Sequence, residues 1–455
     1  MPDTLNFSQR GPQITISTPE GDYFSFTSQL LPLEDGYVRY FSGSGREGEN
    51  TFFETLLPTG ESTGAVARPF DALGQYYLGA SGMFALADGR ARIVVEVQQT
   101  NSEGRGESNF QTMLYSPDTG ALTEPVSLLQ FESFGAFEVH RTLSNPDGSF
   151  ALITQNTRDN IPSVQLFGPN GAPVAEAYQL PASANTYSTD IGFLGDGRVL
   201  ATWEETQNNP PQFDQTTSRI QVQLIAADGI AGPIRTVATT VSDGTGPYTT
   251  LFPQGFLEQP GQALILIWGR QQIENGMATE DFFAQKLGAD GTPAGSVFEL
   301  GQFDQILDRV AYADGSFGLV TRTEVPVGDS WTQELTLRRF DADGQPIGEP
   351  AVLDRMRDWR DIELLPDGGV AIASVDYSQD DGDLNVRFFD ETGTPEGPGD
   401  VIFSMDNGSP GADILLKDDG TFLIQALSQD RHFQEYASVD FRSLTEGDDT
   451  ETLAG

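Results

Sequence analysis

The sequence contains no cysteine and only two histidines, His140 and His432. Without thiols there are no disulfides, no thiolate metal sites and no cysteine nucleophile. Two imidazoles cannot build a multi-histidine zinc or iron centre. Basic residues are also few. The 25 Lys and Arg stand against 67 Asp and Glu, for a formal net charge of −42. A field of that sign repels phosphate backbones and anionic lipid, so nucleic acid and membrane surfaces are excluded as expected partners. It attracts divalent cations and basic surfaces, and it favours solubility. No run approaches the roughly 18 consecutive apolar residues of a membrane-spanning helix. The opening MPDTLNFSQRGPQITIS has no basic start followed by an apolar run, so any export is expected to use a signal of another kind.

What the chain does have is enough apolar material for a core. Hydrophobic residues make up 38% of the 455, with 30 Phe among them. They are arranged in repeats. One phrase, a short apolar segment leading to Asp-Gly or a relative and then a strand-like run, occurs eight times, as in FALADGRARIVVEV, FLGDGRVLATWEE and LLPDGGVAIASVD. Its turn glycines are Gly36, Gly89, Gly148, Gly197, Gly261, Gly315, Gly368 and Gly420, a mean spacing of about 55 residues. A second phrase alternates with it seven times, as in VQLIAADGIAGPI and LTLRRFDADGQPIG, with glycines Gly60, Gly120, Gly171, Gly229, Gly291, Gly344 and Gly393.

Asp-Gly suits a tight hairpin turn because glycine accepts positive φ without steric cost. The flanking runs are rich in Val, Ile, Phe and Leu, as strands are. Two hairpins per repeat give four strands, the blade of a β-propeller. The expected fold is therefore all-β, a propeller of about eight four-stranded blades, with seven as the second choice and stacked sandwiches as the rival architecture. The last repeat lacks its second phrase, whereas the N-terminus offers a spare strand in GPQITIST. Pairing Gln13–Thr18 with the final blade would close the ring and cover two sheet edges.

FFAQKLGADGTPAGSVFEL and LTLRRFDADGQPIGEPAVL resemble repeats in large secreted bacterial proteins of the RTX, or haemolysin-type, class, and LPDGGVAIASVD is similar to the partner phrase of those repeats. The resemblance runs over residues 20–441, and the motifs are degenerate. The C-terminal SLTEGDDTETLAG is similar to the entry into haemolysin-type calcium-binding nonapeptides, with Gly447, Asp448 and Asp449 matching the Gly-Asp-Asp core. Thr450, Glu451 and Thr452 depart from that pattern, and no second nonapeptide follows. Calcium needs about six or more oxygens, more than one such turn supplies. The tail is thus a vestige, the first turn of a longer array, or a plain acidic terminus. The resemblance implies a propeller-like repeat domain over 1–441 and an acidic tail over 442–455. It also implies type I secretion to the bacterial exterior and Ca²⁺ as a bound ion.

Several residues are candidates for chemistry. Asp376, Asp380, Asp381 and Asp383 crowd one loop, and alternating Asp around a Gly can wrap Ca²⁺. Asp380, Asp383, Asp448 and Asp449 are the metal candidates, against the plainer reading of solvated turns. Asp341 and Asp343 recur at a turn position matched by Asp290, so they are read as turn formers. Glu204 and Glu205 are adjacent on a strand, point to opposite faces and cannot form a working carboxylate pair. Trp203 and Trp268 are read as core between blades. Arg355, Arg357 and Arg360 surround Trp359 but interleave with Asp354, Asp358 and Asp361, which reads as a charge-balanced turn. Neither histidine has a partner motif, no Gly-x-Ser-x-Gly elbow is present, and GSGREGEN lies in a hairpin with no helix behind it.

No catalytic residue is legible. The expectation is a non-catalytic extracellular binding or structural module, with a glycan or protein ligand. The alternative is a polysaccharide hydrolase or lyase with a site spread over several blades. The two differ in one observable. An enzyme brings acidic, Tyr or Arg side chains together at the centre, whereas a scaffold has a featureless one.

Overall fold

A computed structural model of the chain describes residues 8–440 except 10–13, 18–22, 34–35, 46–47, 58–61, 68–74, 101–105, 132–136, 146, 157–160, 182–188, 195, 209–215, 243–245, 260–262, 275, 329, 356–358, 366, 377–381, 397–399, 406–410, 417–420 and 428–432. Every element among the described residues is a β-strand. The architecture is a β-propeller. Seven sheets follow one another along the chain, each an antiparallel meander of four rows bonded in chain order. Blade 1 covers 23–67, blade 2 75–131, blade 3 137–179, blade 4 189–242, blade 5 248–302, blade 6 305–355 and blade 7 359–405.

An eighth sheet is composite. Gly411–Leu416, Thr421–Leu427 and Phe433–Asp440 supply three rows, and the N-terminal segments Ser8–Gln9 and Ile14–Ser17 both pair with Phe433–Asp440 as the fourth. Ile14 is the register partner of Tyr436 and Ser17 of Phe433. The N-terminal strand therefore takes the position expected for it. The seven blades of continuous chain match the second of the two expected counts, with the composite sheet added.

The repeats map onto turns. Among the described residues, first-phrase glycines close the hairpin between strands one and two of a blade, and second-phrase glycines close the hairpin between strands three and four. Gly89 has φ 80° and Gly229 φ 83°. Where Asp stands one residue earlier it locks the turn by accepting the amide hydrogen two residues on, as Asp88 does from Arg90 at 3.1 Å and Asp290 from Thr292 at 3.0 Å. The same bond joins Asp341 to the Asp343 amide at 2.8 Å.

Core lies between blades, not within one. Ala151, Ile153, Val164 and Leu166 of blade 3 pack with Ile191, Val199, Ala201 and Trp203 of blade 4. Leu257, Ile265 and Ile267 of blade 5 pack with Phe317, Leu319 and Phe340 of blade 6. A second strand sits between two such layers, so both its faces are buried. That is why Ala263–Glu274 opens as ALILIW, a continuous apolar run instead of an alternation. Trp203 and Trp268 are both buried core residues, Trp268 packing with Leu194, Leu200 and Ile220 of blade 4.

Meander topology sorts the connections. Both hairpin turns of the repeat lie at one end of the blade. The turn between strands two and three lies at the other end, where the first strand also begins. First strands of consecutive blades are neighbours and form the innermost layer of the propeller.

Candidate functional site at the inner strands

The innermost strands carry charge where a core would carry none. Arg141, Asp190, Asp308 and Asp361 each stand seven residues before the first-hairpin glycine of blades 3, 4, 6 and 7, and Gln254 holds that place in blade 5. In blades 3, 5, 6 and 7 a register shift falls at this position, between Val139 and Arg141, Pro253 and Gly255, Ile306 and Asp308, and Trp359 and Asp361. A bulge breaks the strict alternation and re-aims the side chain that follows. A polar residue can then be held at the inner edge while its neighbours stay in the interblade core.

The groups meet across blade boundaries. Arg141 Nη1 donates to Asp190 Oδ1 at 2.5 Å. Asp190 Oδ2 accepts the Phe256 amide of blade 5 at 3.1 Å and lies 4.0 Å from Arg309 Nη2 of blade 6. Arg309 Nη1 donates to the Gln254 carbonyl at 2.7 Å. Asp308 Oδ2 accepts the Leu364 amide of blade 7 at 2.7 Å, and Asp361 Oδ2 accepts the Ile414 amide of the composite sheet at 2.6 Å. Side chains of blades 3, 4 and 6 thus join with backbone groups of blade 5, while Asp308 and Asp361 each tie their inner strand to that of the next sheet.

Two glutamates join it. Glu363, half-buried, is pushed up to about 8 by burial, with the charges of Asp308 and Asp361 adding to the effect. Glu258 is reached by solvent yet flanked by enough protein that desolvation raises its carboxyl; the Phe193 amide and Arg141 oppose the rise. Burial lowers the Arg309 guanidinium from its ordinary value, with Asp190 opposing. The arrangement sets a carboxyl that keeps its proton at neutral pH within the field of Asp308 and Asp361 on the same strands. A carboxyl that keeps its proton at neutral pH is able to donate it, which is one half of acid–base chemistry.

Of the residues singled out from the sequence, Asp361 belongs to this cluster, on the innermost strand of blade 7 and not in a turn. Asp448, Asp449 and Asp380 are outside the described residues. So is the side chain of Asp383, whose backbone pairs with Asp376. Among the described residues no three His, Asp or Glu are grouped to hold a metal ion. Glu204 is buried and bonded to Thr206 and Ser218, whereas Glu205 bonds Gln221 on the other face. Arg355 pairs with Glu334 of its own blade at 2.8 Å, so its balancing charge comes from across the sheet and not from the interleaved Asp. The inner cluster was missed because its members are scattered over five repeats. The one signal for it is their fixed distance from the turn glycine.

No known family and no curated protein matches the sequence. Solved structures match the architecture at a distance. The polysaccharide lyase Uly1 has a TM-score of 0.40 at 11% identity, covering 77% of this chain and 88% of that one. An oligogalacturonate lyase in complex with manganese has 0.40 at 12%, covering 93% and 99%. The α-L-arabinofuranosidase Arb93A from Fusarium graminearum has 0.39 at 13%, covering 68% and 94%. At these identities and TM-scores the likeness carries no argument, and the site is read from its own residues.

Proposed function

We propose that this propeller is a glycan-processing enzyme of the acid–base class, working outside the cell, with the inner-strand cluster of blades 3 to 7 as its site. The observation that carries the reading is the convergence of Arg141, Asp190, Asp308, Arg309, Asp361 and Glu363 from separate blades. Glycosidic bonds are broken by two carboxyl groups in different protonation states. Glu363 is the proton donor, because it is the group held protonated at neutral pH. Burial keeps it so, and the negative field of Asp308 and Asp361 adds to the effect. The chain's charge of −42 repels polyanions, so the substrate class is a neutral polysaccharide.

A second reading has its own support. Asp190, Asp308 and Asp361 each spend one oxygen on a backbone amide of the next sheet. Tethers of that kind suit a non-catalytic module that binds a glycan or a protein.

The test is turnover of neutral polysaccharides, read as release of reducing ends, by the wild type and by Glu363→Gln. Loss of turnover in the variant, with binding retained, is the expected result. The acid form must be present, so activity is expected to fall as pH rises through about 8, where Glu363 gives up its proton. Polysaccharide bound by the wild type without any turnover would favour the module.

A further inference from the structure

The long hairpin between strands two and three of blade 6, Phe317–Val327 with Ser330–Phe340, carries one sheet face from the core into solvent. On Ser330–Phe340 the odd-numbered residues share that face. Leu337 and Leu335 are buried in the core with Ile362 and Leu364 of blade 7. One pleat further out is Gln333, and beyond it Trp331, which is 57% exposed. Pro326 and Glu324, the register partners of Trp331 and Gln333, stand on the same face. The indole of Trp359, at the start of the innermost strand of blade 7, donates from Nε1 to Gln333 Oε1 at 2.9 Å.

That last bond fixes an orientation. An indole nitrogen can only donate, so the amide must present its oxygen to it and turn its NH₂ away. Two of the four tryptophans in the chain therefore flank one oriented amide, Trp331 exposed and Trp359 partly buried against the core, with an exposed carboxylate, Glu324, across the hairpin. A flat apolar surface beside a fixed donor and an acceptor is complementary to a sugar ring, which has an apolar C–H face and an equatorial rim of hydroxyls. Trp359 also shares a strand with the site above. Trp359 and Glu363 lie on one strand, four residues and about 13 Å apart.

We infer that the outer part of this hairpin face is a sugar-binding subsite, with Trp331 as the stacking platform and Gln333, oriented by Trp359, as the hydroxyl partner. It holds one ring of a neutral polysaccharide. The inference rests on the proposed function for its ligand class, but its residues are separate from the reacting groups.

Electrophoresis through gels containing xylan, arabinan, mannan or β-glucan tests it, with turnover measured on the same polysaccharides. Wild type is compared with Trp331→Ala, Trp331→Phe and Trp359→Phe, and thermal melting checks that each variant is folded. A polysaccharide that retards the wild type is expected to bind Trp331→Ala about tenfold more weakly, as for loss of an exposed aromatic contact. Trp331→Phe should recover most of that loss, because a ring is restored. Trp359→Phe should weaken binding less than Trp331→Ala, because the platform stays but Gln333 is released. Wild-type retardation left unchanged in Trp331→Ala overturns the subsite and leaves the proposed function standing. Retardation lost in Trp331→Ala without turnover by the wild type supports the subsite and sinks the catalytic reading. No retardation and no turnover on any of the four overturns both.

Discussion

The two hairpin turns of each blade are written alike and built alike, yet they do different work. In blade 4, for instance, both carry Asp-Gly, both place the glycine at φ 83°, and both lock the turn through that Asp, Asp196 accepting the Arg198 amide and Asp228 the Ile230 amide. They differ in what surrounds them. At Gly89, in a first-hairpin turn, an added Cβ would meet nothing within 4 Å, and at Gly197 its nearest neighbour would be 3.6 Å away. At the second-hairpin turns there is no room. A Cβ on Gly229 would lie 2.4 Å from Ala175 Cβ of blade 3. One on Gly291 would lie 2.7 Å from Leu200 of blade 4, and one on Gly393 2.5 Å from Ala351 of blade 6. Each second turn is pressed against the preceding blade. At Gly89 and Gly197 the glycine answers a demand of the backbone alone, whereas at Gly229, Gly291 and Gly393 it answers that demand and a demand of assembly.

The largest expected effect follows from Gly229. Gly229→Ala adds left-handed strain of about 1–2 kcal/mol to an overpacking cost of similar size, about 3 kcal/mol in all. Ala175 cannot yield easily, because its Cβ is fixed to the backbone. Ala175→Gly removes the atom struck, so the double variant should regain the packing part and keep only the strain. Equilibrium denaturation of the two single variants and the double variant checks this. A double variant no more stable than Gly229→Ala would mean that the turn does not bear on blade 3.

Gly89→Ala is the matched control, with the same backbone strain and no atom to strike. It should cost about 1 kcal/mol, read as a shift of the denaturation midpoint at unchanged slope. If it cost as much as Gly229→Ala, the difference between the two turn families would vanish.

This contrast also marks how far the sequence could be read. Asp-Gly spacing gave the hairpins, their number per repeat and the propeller, because turn chemistry is local and glycine at positive φ leaves a mark in the chain. The N-terminal strand was legible from a missing second phrase and a spare GPQITIST. Which turns dock on a neighbour was not legible, since Ala175 and Gly229 belong to different repeats and nothing in either residue type announces the contact. The inner cluster lay between these cases. Asp190, Asp308 and Asp361 keep a fixed distance from their turn glycines, but only the fold shows that they accept amides from the next sheet. Glu363 carries no such spacing, and its raised proton affinity comes from burial and from two carboxylates brought near by folding.

The smallest expected effect isolates the polar part of the docking. Three second-hairpin turns receive an arginine from the preceding blade at the carbonyl two residues before the glycine. Arg92 donates to Pro169, Arg198 to Ala289 at 2.9 Å and Arg339 to Glu391 at 3.4 Å. Arg198 is the clearest to test, because its Nε also bonds Asp196 of its own turn at 2.7 Å, which pre-orients the guanidinium. The Arg198 side chain is 28% exposed and Asp196 43%, so solvent screening keeps the contribution small. Arg198→Gln is expected to cost about 0.5 kcal/mol. The informative quantity is its coupling to Gly291→Ala, which strains the same turn from its packed side. If bond and packing hold one docked turn, the two losses are expected to overlap, and the double variant should lose about 0.5 kcal/mol less than the sum of the singles. Strict additivity would mean that the turn stays docked when its glycine is filled, so that Leu200 has moved aside and the arginine, more than the fit around Gly291, decides where blade 5 meets blade 4.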